Sequence, residues 1–219
     1  MISCCIFDLD GVVVDTAKYH FRAWHELAAE LGFDFTPEAG EATKGVSRRA
    51  SLDIVLGCGG LADRFSEEEK CRMAERKNAR YLELVAGMTP REVLPGVTEF
   101  LDEVHRSGRK VVLGSASKNT RVILERCALA DQFDAVVDGT MISRAKPDPE
   151  VFLRGAELVG ADPAQCVVFE DARAGIEAAR AGGMHAVGVG LGADLARAEW
   201  QIASFAGLHL SDVLQAISK

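Results

Sequence analysis

Five short apolar runs, each ending abruptly in polar or glycine-rich residues, constrain this chain more than any other feature of its sequence. Ser3 to Phe7 runs into Asp8-Leu9-Asp10-Gly11, Lys110 to Leu113 into Gly-Ser-Ala-Ser, and Ala135 to Val137 into Asp-Gly-Thr. Cys166 to Phe169 runs into Glu170-Asp171, and Ala186 to Val189 into Gly-Leu-Gly. Such runs read as buried strands that stop at polar turns. Helix-like segments separate them, as a parallel sheet requires. Two helices are expected to start at recognisable caps, Asp162-Pro163-Ala164-Gln165 and Asp148-Pro149. In open sheets of this kind ligands bind beyond the carboxyl ends of the strands, so Asp8, Ser115, Lys146 and Asp171 should meet in one crevice.

Between Asp15 and about Met88 the pattern changes to helices without strands. Phe21, Trp24, Leu27, Ala28 and Leu31 recur at helical spacing, and Ser66 to Glu69 forms a capping box. Gly57-Cys58-Gly59-Gly60 reads as a flexible connection and not as a phosphate loop, because no strand precedes it and no Lys-Ser/Thr follows. This segment interrupts the α/β unit directly after its first strand, so it should lie over that strand's carboxyl end as a mobile cap. The expected fold is α/β: a Rossmann-like parallel sheet core with helices on both faces, residues 1–15 and 89–219, plus an inserted all-helical cap domain, residues 16–88.

Composition narrows the partners. With 219 residues, 48% of them apolar and 26% charged, the chain can bury one ample core, or a core and a smaller module. A formal net charge of -8 argues against broad nucleic-acid or anionic-membrane binding, whereas a small phosphate ester needs only a few local cations. The N-terminus lacks the order of a signal peptide and no apolar run is long enough to span a bilayer, so a cytoplasmic location is expected. The six cysteines lack CxxC spacing and paired histidines, which disfavours zinc. Cys4, Cys5 and Cys166 fall in strand-like runs and read as small buried hydrophobes.

In Asp8-Leu9-Asp10-Gly11 the two acids are two residues apart, so in an extended backbone both project to one side. One carboxylate can attack phosphorus while its neighbour gives or takes a proton. A phosphoryl group and a carboxylate repel, so such a site needs a hard divalent cation and a fixed positive charge. Glu170-Asp171 can complete oxygen coordination of Mg²⁺, although Asp171 also reads as a cap for the helix expected over Ala172 to Ala181. Lys146-Pro147 can present a point charge to phosphoryl oxygens, and Ser115 with the amides after it can donate from a helix start. Trp24 lies on the apolar stripe and reads as core on spacing alone, and His20 and Lys77 read as solvated helix positions.

These motifs, in this order, resemble those of the haloacid-dehalogenase superfamily: Asp8-Leu9-Asp10-Gly11, Ser115, Lys146-Pro147 and Glu170-Asp171. Further stretches resemble the β-phosphoglucomutase family within it: Asp15-Thr16-Ala17, His20-Phe21-Arg22-Ala23-Trp24, Lys44-Gly45-Val46-Ser47-Arg48, Arg76-Lys77-Asn78, Ser115-Ala116-Ser117-Lys118-Asn119 and Gly188-Val189-Gly190. The resemblance covers nearly the whole chain and thins after about Leu191. It implies Asp8 as nucleophile and Asp10 as general acid/base, with Mg²⁺ bound by Asp8, Asp10 through its backbone carbonyl, Glu170 and Asp171. Ser115, Ala116 and Lys146 would hold the transferring phosphoryl group. Arg48, Ser117, Lys118 and Asn119 would hold the substrate's other phosphate. His20, Trp24, Gly45, Val46, Ser47, Ser51 and Lys77 would line the sugar side or couple its binding to cap closure. Ala172-Arg173 departs from the family's pattern and adds a charge beside the metal loop.

The implied activity is a mutase interconverting β-D-glucose 1-phosphate and D-glucose 6-phosphate, working as a monomer on small phosphosugars with no nucleic-acid or membrane partner. The alternative within the superfamily is a sugar-phosphate phosphatase, in which water attacks the aspartyl phosphate. A non-enzymatic phospho-receiver domain shares the sheet, the acceptor aspartate and the lysine, but needs neither Asp10 nor a cap.

Overall fold

Alternation along the first strand decides how the sheet is buried. In the computed structural model, which describes residues 2–218, β1 (Cys4–Phe7) turns Cys4 and Ile6 to one side and Cys5 and Phe7 to the other, and both sides are fully enclosed. It lies central in a six-stranded, all-parallel sheet with β2 (Lys110–Gly114), β3 (Ala135–Val137), β4 (Cys166–Glu170), β5 (His185–Val189) and β6 (Trp200–Ile202), in the order β3-β2-β1-β4-β5-β6. The register pairs Phe7 with both Leu113 and Phe169, so the next residues of β1 and β4, Asp8 and Glu170, emerge level at the carboxyl edge.

Helices cover both faces. α5 (Val97–Arg106), α6 (Thr120–Arg126) and α9 (Leu210–Ala216) pack Phe100, Leu101, Ile123 and Val213 against the face bearing Phe7. α7 (Glu150–Val159) and α8 (Arg173–Ala181) pack Phe152, Ala156, Ile176 and Ala179 against the other. Phe7 stacks on Phe169 with ring centroids 4.8 Å apart, and Phe100 meets both edge-on. Each such ring contributes roughly 1.5–3 kcal/mol by leaving water, and together they anchor the strand ends that carry Asp8 and Glu170.

The segment between β1 and α5 holds α1 (Ala17–Glu30), α2 (Pro37–Glu41), α3 (Arg48–Cys58) and α4 (Glu67–Val85). Trp24, Leu27 and Ala28 of α1 join Phe35, Leu52, Val55, Leu56 and Ala74 in a core of their own. Ser66 starts α4 with a complete capping box to Glu69.

Two expectations need correction. Asp162 caps a 3-10 turn, Pro163–Gln165, and not an α-helix: its Oδ1 accepts from Ala164 N at 3.0 Å, but β4 begins at the next residue and no helical run follows. Gly57 and Cys58 are the last turn of α3 and not a loose connection, and Gly59 lies close against the Phe33 ring. β6 lies in the region where the sequence pattern thins, and its three residues are too few for a periodic signal. Among the described residues, no helix is long and apolar enough to cross a membrane.

Candidate active site

The turn after β1 is built around Gly11. Its φ of +81° favours glycine, and a Cβ there would lie 2.1 Å from Asp171 Oδ2, so the missing side chain both allows the turn and admits the acid from β4. The backbone bends at Leu9 instead of continuing extended, and Leu9 is buried. Asp8 and Asp10 therefore take different surroundings, although both face one cavity. Asp8 Oδ2 accepts from Asp10 N at 3.0 Å, while the Asp10 carboxylate accepts from the Thr16 hydroxyl.

Glu170 is wholly enclosed, pressed on Gly175 of α8, where a Cβ would come within 2.0 Å of its Cδ. Its Oε1 accepts from Ala172 N at 3.2 Å. Asp171 does not cap α8: the cap position is Ala172, without a side-chain bond. Oxygens of Asp8, Glu170 and Asp171 instead lie within 4.8 Å of one another. Lys146, which follows β3 and precedes a cis Lys146–Pro147 peptide, donates to Asp8 Oδ1 at 2.5 Å and to Glu170 Oε2 at 2.7 Å.

Three carboxylates against one ammonium leave this point short of positive charge. Burial, and then the charge of Asp8, push the Asp171 carboxyl up to about 7 and Glu170 well above the usual carboxylate range. Burial alone would lower Lys146, but Asp8 and Glu170 more than offset it and hold the ammonium above its ordinary value. An all-oxygen cluster with surplus negative charge fits a hard divalent cation. Burial and the Asp8 charge likewise raise Asp10 to about 6, opposed by the Thr16 hydrogen bond.

The loop after β2 closes one wall. Ser115 N donates to Val137 O at 3.0 Å, and Ser115 Oγ accepts from Ser117 N at 3.1 Å. α6 starts only at Thr120, so residues 115–119 form a hydrogen-bonded turn and not the expected helix start. The facing wall comes from α1, α3 and α4. Lys77 is buried with its Nζ 2.9 Å from His20 Nδ1 and 4.3 Å from the centre of the Trp24 ring. Burial, then the charge of Arg48, lower Lys77 to about 7; burial, then Lys77, lower His20 well below its ordinary value, which favours the neutral imidazole. Trp24 is thus both core and cavity wall. Ser47 caps α3 by accepting from Ala50 N, and Ser51 donates to Ser47 O.

The cavity enclosed by these elements measures about 730 Å³. Asp8, Asp10, His20, Trp24, Gly45, Val46, Ser47, Arg48, Ser51, Lys77, Ser115, Ala116, Ser117, Lys118, Asn119, Lys146 and Asp171 all line it; Glu170 lies beneath its floor. A family model described as haloacid dehalogenase-like hydrolase matches residues 2–183. The chain belongs to that family. The β-phosphoglucomutase of Bacillus subtilis is 43% identical over 195 residues, 87% of this chain and 86% of that protein. A phosphorylated carbohydrates phosphatase of Thermotoga maritima is 32% identical over 184 residues, 83% of this chain and 82% of that protein. The crystal structure of a β-phosphoglucomutase from Clostridium difficile superposes with a TM-score of 0.94 at 40% identity, covering 100% of this chain and 98% of that one.

Within this member of the family, two arginines adjacent in sequence divide their work. Both line the cavity, but Arg49 is committed to Asp53 and Glu67, while Arg48 makes no ion pair among the described residues. Arg173 turns away from the metal loop to pair with Glu177 at 3.0 Å, so its charge is met outside the site. Two residues that stood in the resembling stretches without an assigned role also reach the site: Lys44, whose Nζ lies 3.8 Å from Asp171 Oδ2, and Asn78, which bonds Asn119 at the cavity wall. Both adjoin residues that were given roles, Gly45 and Lys77, and the quoted stretches were the signal for them.

Proposed function

We propose that this chain interconverts β-D-glucose 1-phosphate and D-glucose 6-phosphate, through an aspartyl phosphate at Asp8 and β-glucose 1,6-bisphosphate. The observation that carries this reading is a single cavity with cations at two places. Lys146 meets Asp8 at one, and Arg48, Lys118 and Asn119 line the cavity elsewhere, where they would offer a second anion grip that simple hydrolysis would not need. The 43% identity to a β-phosphoglucomutase supports it.

Asp8 attacks phosphorus, the ester P–O bond breaks, and Asp10 gives its proton to the departing sugar oxygen. In the return step Asp10 takes the proton of the other hydroxyl as that oxygen attacks the aspartyl phosphate, and Asp8 leaves as carboxylate. A carboxyl near 6 can serve both directions at neutral pH. Lys146, with Ser115 and Ala116, holds the moving phosphoryl oxygens. Mg²⁺, held by Asp8, Glu170, Asp171 and the Asp10 carbonyl, would neutralise charge between carboxylate and phosphate. Residues 16–88 act as the cap over a core of 1–15 and 89–219. Six free thiols accord with a cytoplasmic setting.

Treatment with glucose 1,6-bisphosphate and Mg²⁺ should place one phosphoryl group on the peptide carrying Asp8, read by mass spectrometry. Asp8→Asn should take none and should turn over at less than about a thousandth of the wild-type rate. Label on another residue, or turnover without Asp8, would contradict the reading.

A further inference from the structure

One hydrogen bond joins the loop after β2 to α4: Asn119 Nδ2 donates to Asn78 Oδ1 at 2.9 Å. Both side chains are half-buried and both line the cavity. The main chain around Asn119 is already held, since Asn119 N donates to Ser117 Oγ at 3.2 Å and Thr120 Oγ1 to Ser117 O at 2.9 Å. What those bonds leave free is rotation of the Asn119 amide group. An asparagine amide presents two donors on one side and an acceptor on the other, so its value to an anion depends on which side faces it. Asn78 engages one N–H and leaves the second free to donate.

We infer that Asn78 is a positioning residue for the second phosphate: it orients Asn119 so that the amide NH₂ faces the anion, and does so only while α4 lies over the loop. The inference rests on the proposed role of Asn119 at that phosphate. It makes the grip itself depend on closure. Asn78 touches no reacting atom and acts through Asn119 alone.

Affinity for glucose 6-phosphate, measured by calorimetry in the wild type, Asn78→Ala, Asn119→Ala and the double variant, tests this. A neutral hydrogen bond is worth about threefold to tenfold in affinity and one to a charged group about tenfold to a hundredfold, so Asn78→Ala should weaken binding on the first scale and Asn119→Ala on the second. Because Asn78 works through Asn119, the double variant should bind no worse than Asn119→Ala. Asn78→Ala should also raise the KM for β-glucose 1-phosphate by more than it lowers kcat, since saturating substrate restores the closed state. Wild-type affinity in either single variant, effects that multiply in the double variant, or a loss confined to kcat would overturn the inference. Binding is read without turnover, so an enzyme that hydrolyses phosphosugars without isomerising them would contradict the proposed function while the Asn78 coupling was still measured.

Discussion

The Asp10 side chain carries a proton in this account and leaves the metal to its backbone carbonyl, because the carboxylate is held by the Thr16 hydroxyl and is not one of the three clustered carboxylates. Asp10→Asn should therefore lower turnover by about 10² to 10⁴-fold, the usual worth of general acid/base catalysis. Its Mg²⁺ affinity, followed by calorimetry, should stay near wild type. Lost affinity with full activity at saturating metal would assign Asp10 to the metal instead. At this scale much of the site was legible, since acids and a serine at the ends of apolar runs, and a lysine on the loop after another, come to one edge once the runs form a parallel sheet. What sequence could not give was each residue's partner. The bend at Leu9 separates Asp8 from Asp10, and the outward turn of Arg173 is set by Glu177 one helical turn later.

Among the elements, α4 is unusual in burying two lysines on one face, Lys70 and Lys77, with Ala74, Tyr81 and Val85. Lys70 is met by Asp53 at 3.0 Å. Lys77 has a neutral imidazole and two aromatic faces, and burial followed by the charge of Arg48 lowers it to about 7. An unfolded lysine keeps its proton to about pH 10.4. Between these values the unfolded chain binds more protons than the folded one, so this group makes stability rise with pH through that window. Lys77→Met should remove that slope, which is at most about 1.4 kcal/mol per pH unit. In urea unfolding the variant's advantage over wild type should shrink from pH 7 to pH 9, and a constant difference would mean that Lys77 is not held in this state. The helices themselves were legible where periodicity ran long, as in α1, and where caps were complete, as at Ser66. Asp162 shows the limit: a sound cap needs a helical run behind it, and here a strand begins instead.

At the scale of the whole molecule, catalysis depends on α1 to α4 meeting the carboxyl edge of the sheet. The contacts that join them combine an apolar seam, in which Ala23, Tyr81 and Val85 pack into the core that holds Phe7 and Leu9, with polar ones, Asn78 with Asn119 and Lys44 with Asp171. None was legible beforehand, because each links residues far apart in the chain whose meeting only the fold creates. The chain's formal net charge of -8 leaves local cations, Arg48 and the exposed Lys118 above all, to draw a phosphosugar into the cavity. The most direct test follows glucose 6-phosphate and free phosphate together, starting from β-glucose 1-phosphate with Mg²⁺ and catalytic glucose 1,6-bisphosphate. The account predicts that glucose 6-phosphate accumulates to equilibrium while free phosphate stays near background; rapid release of phosphate without isomerisation would contradict it.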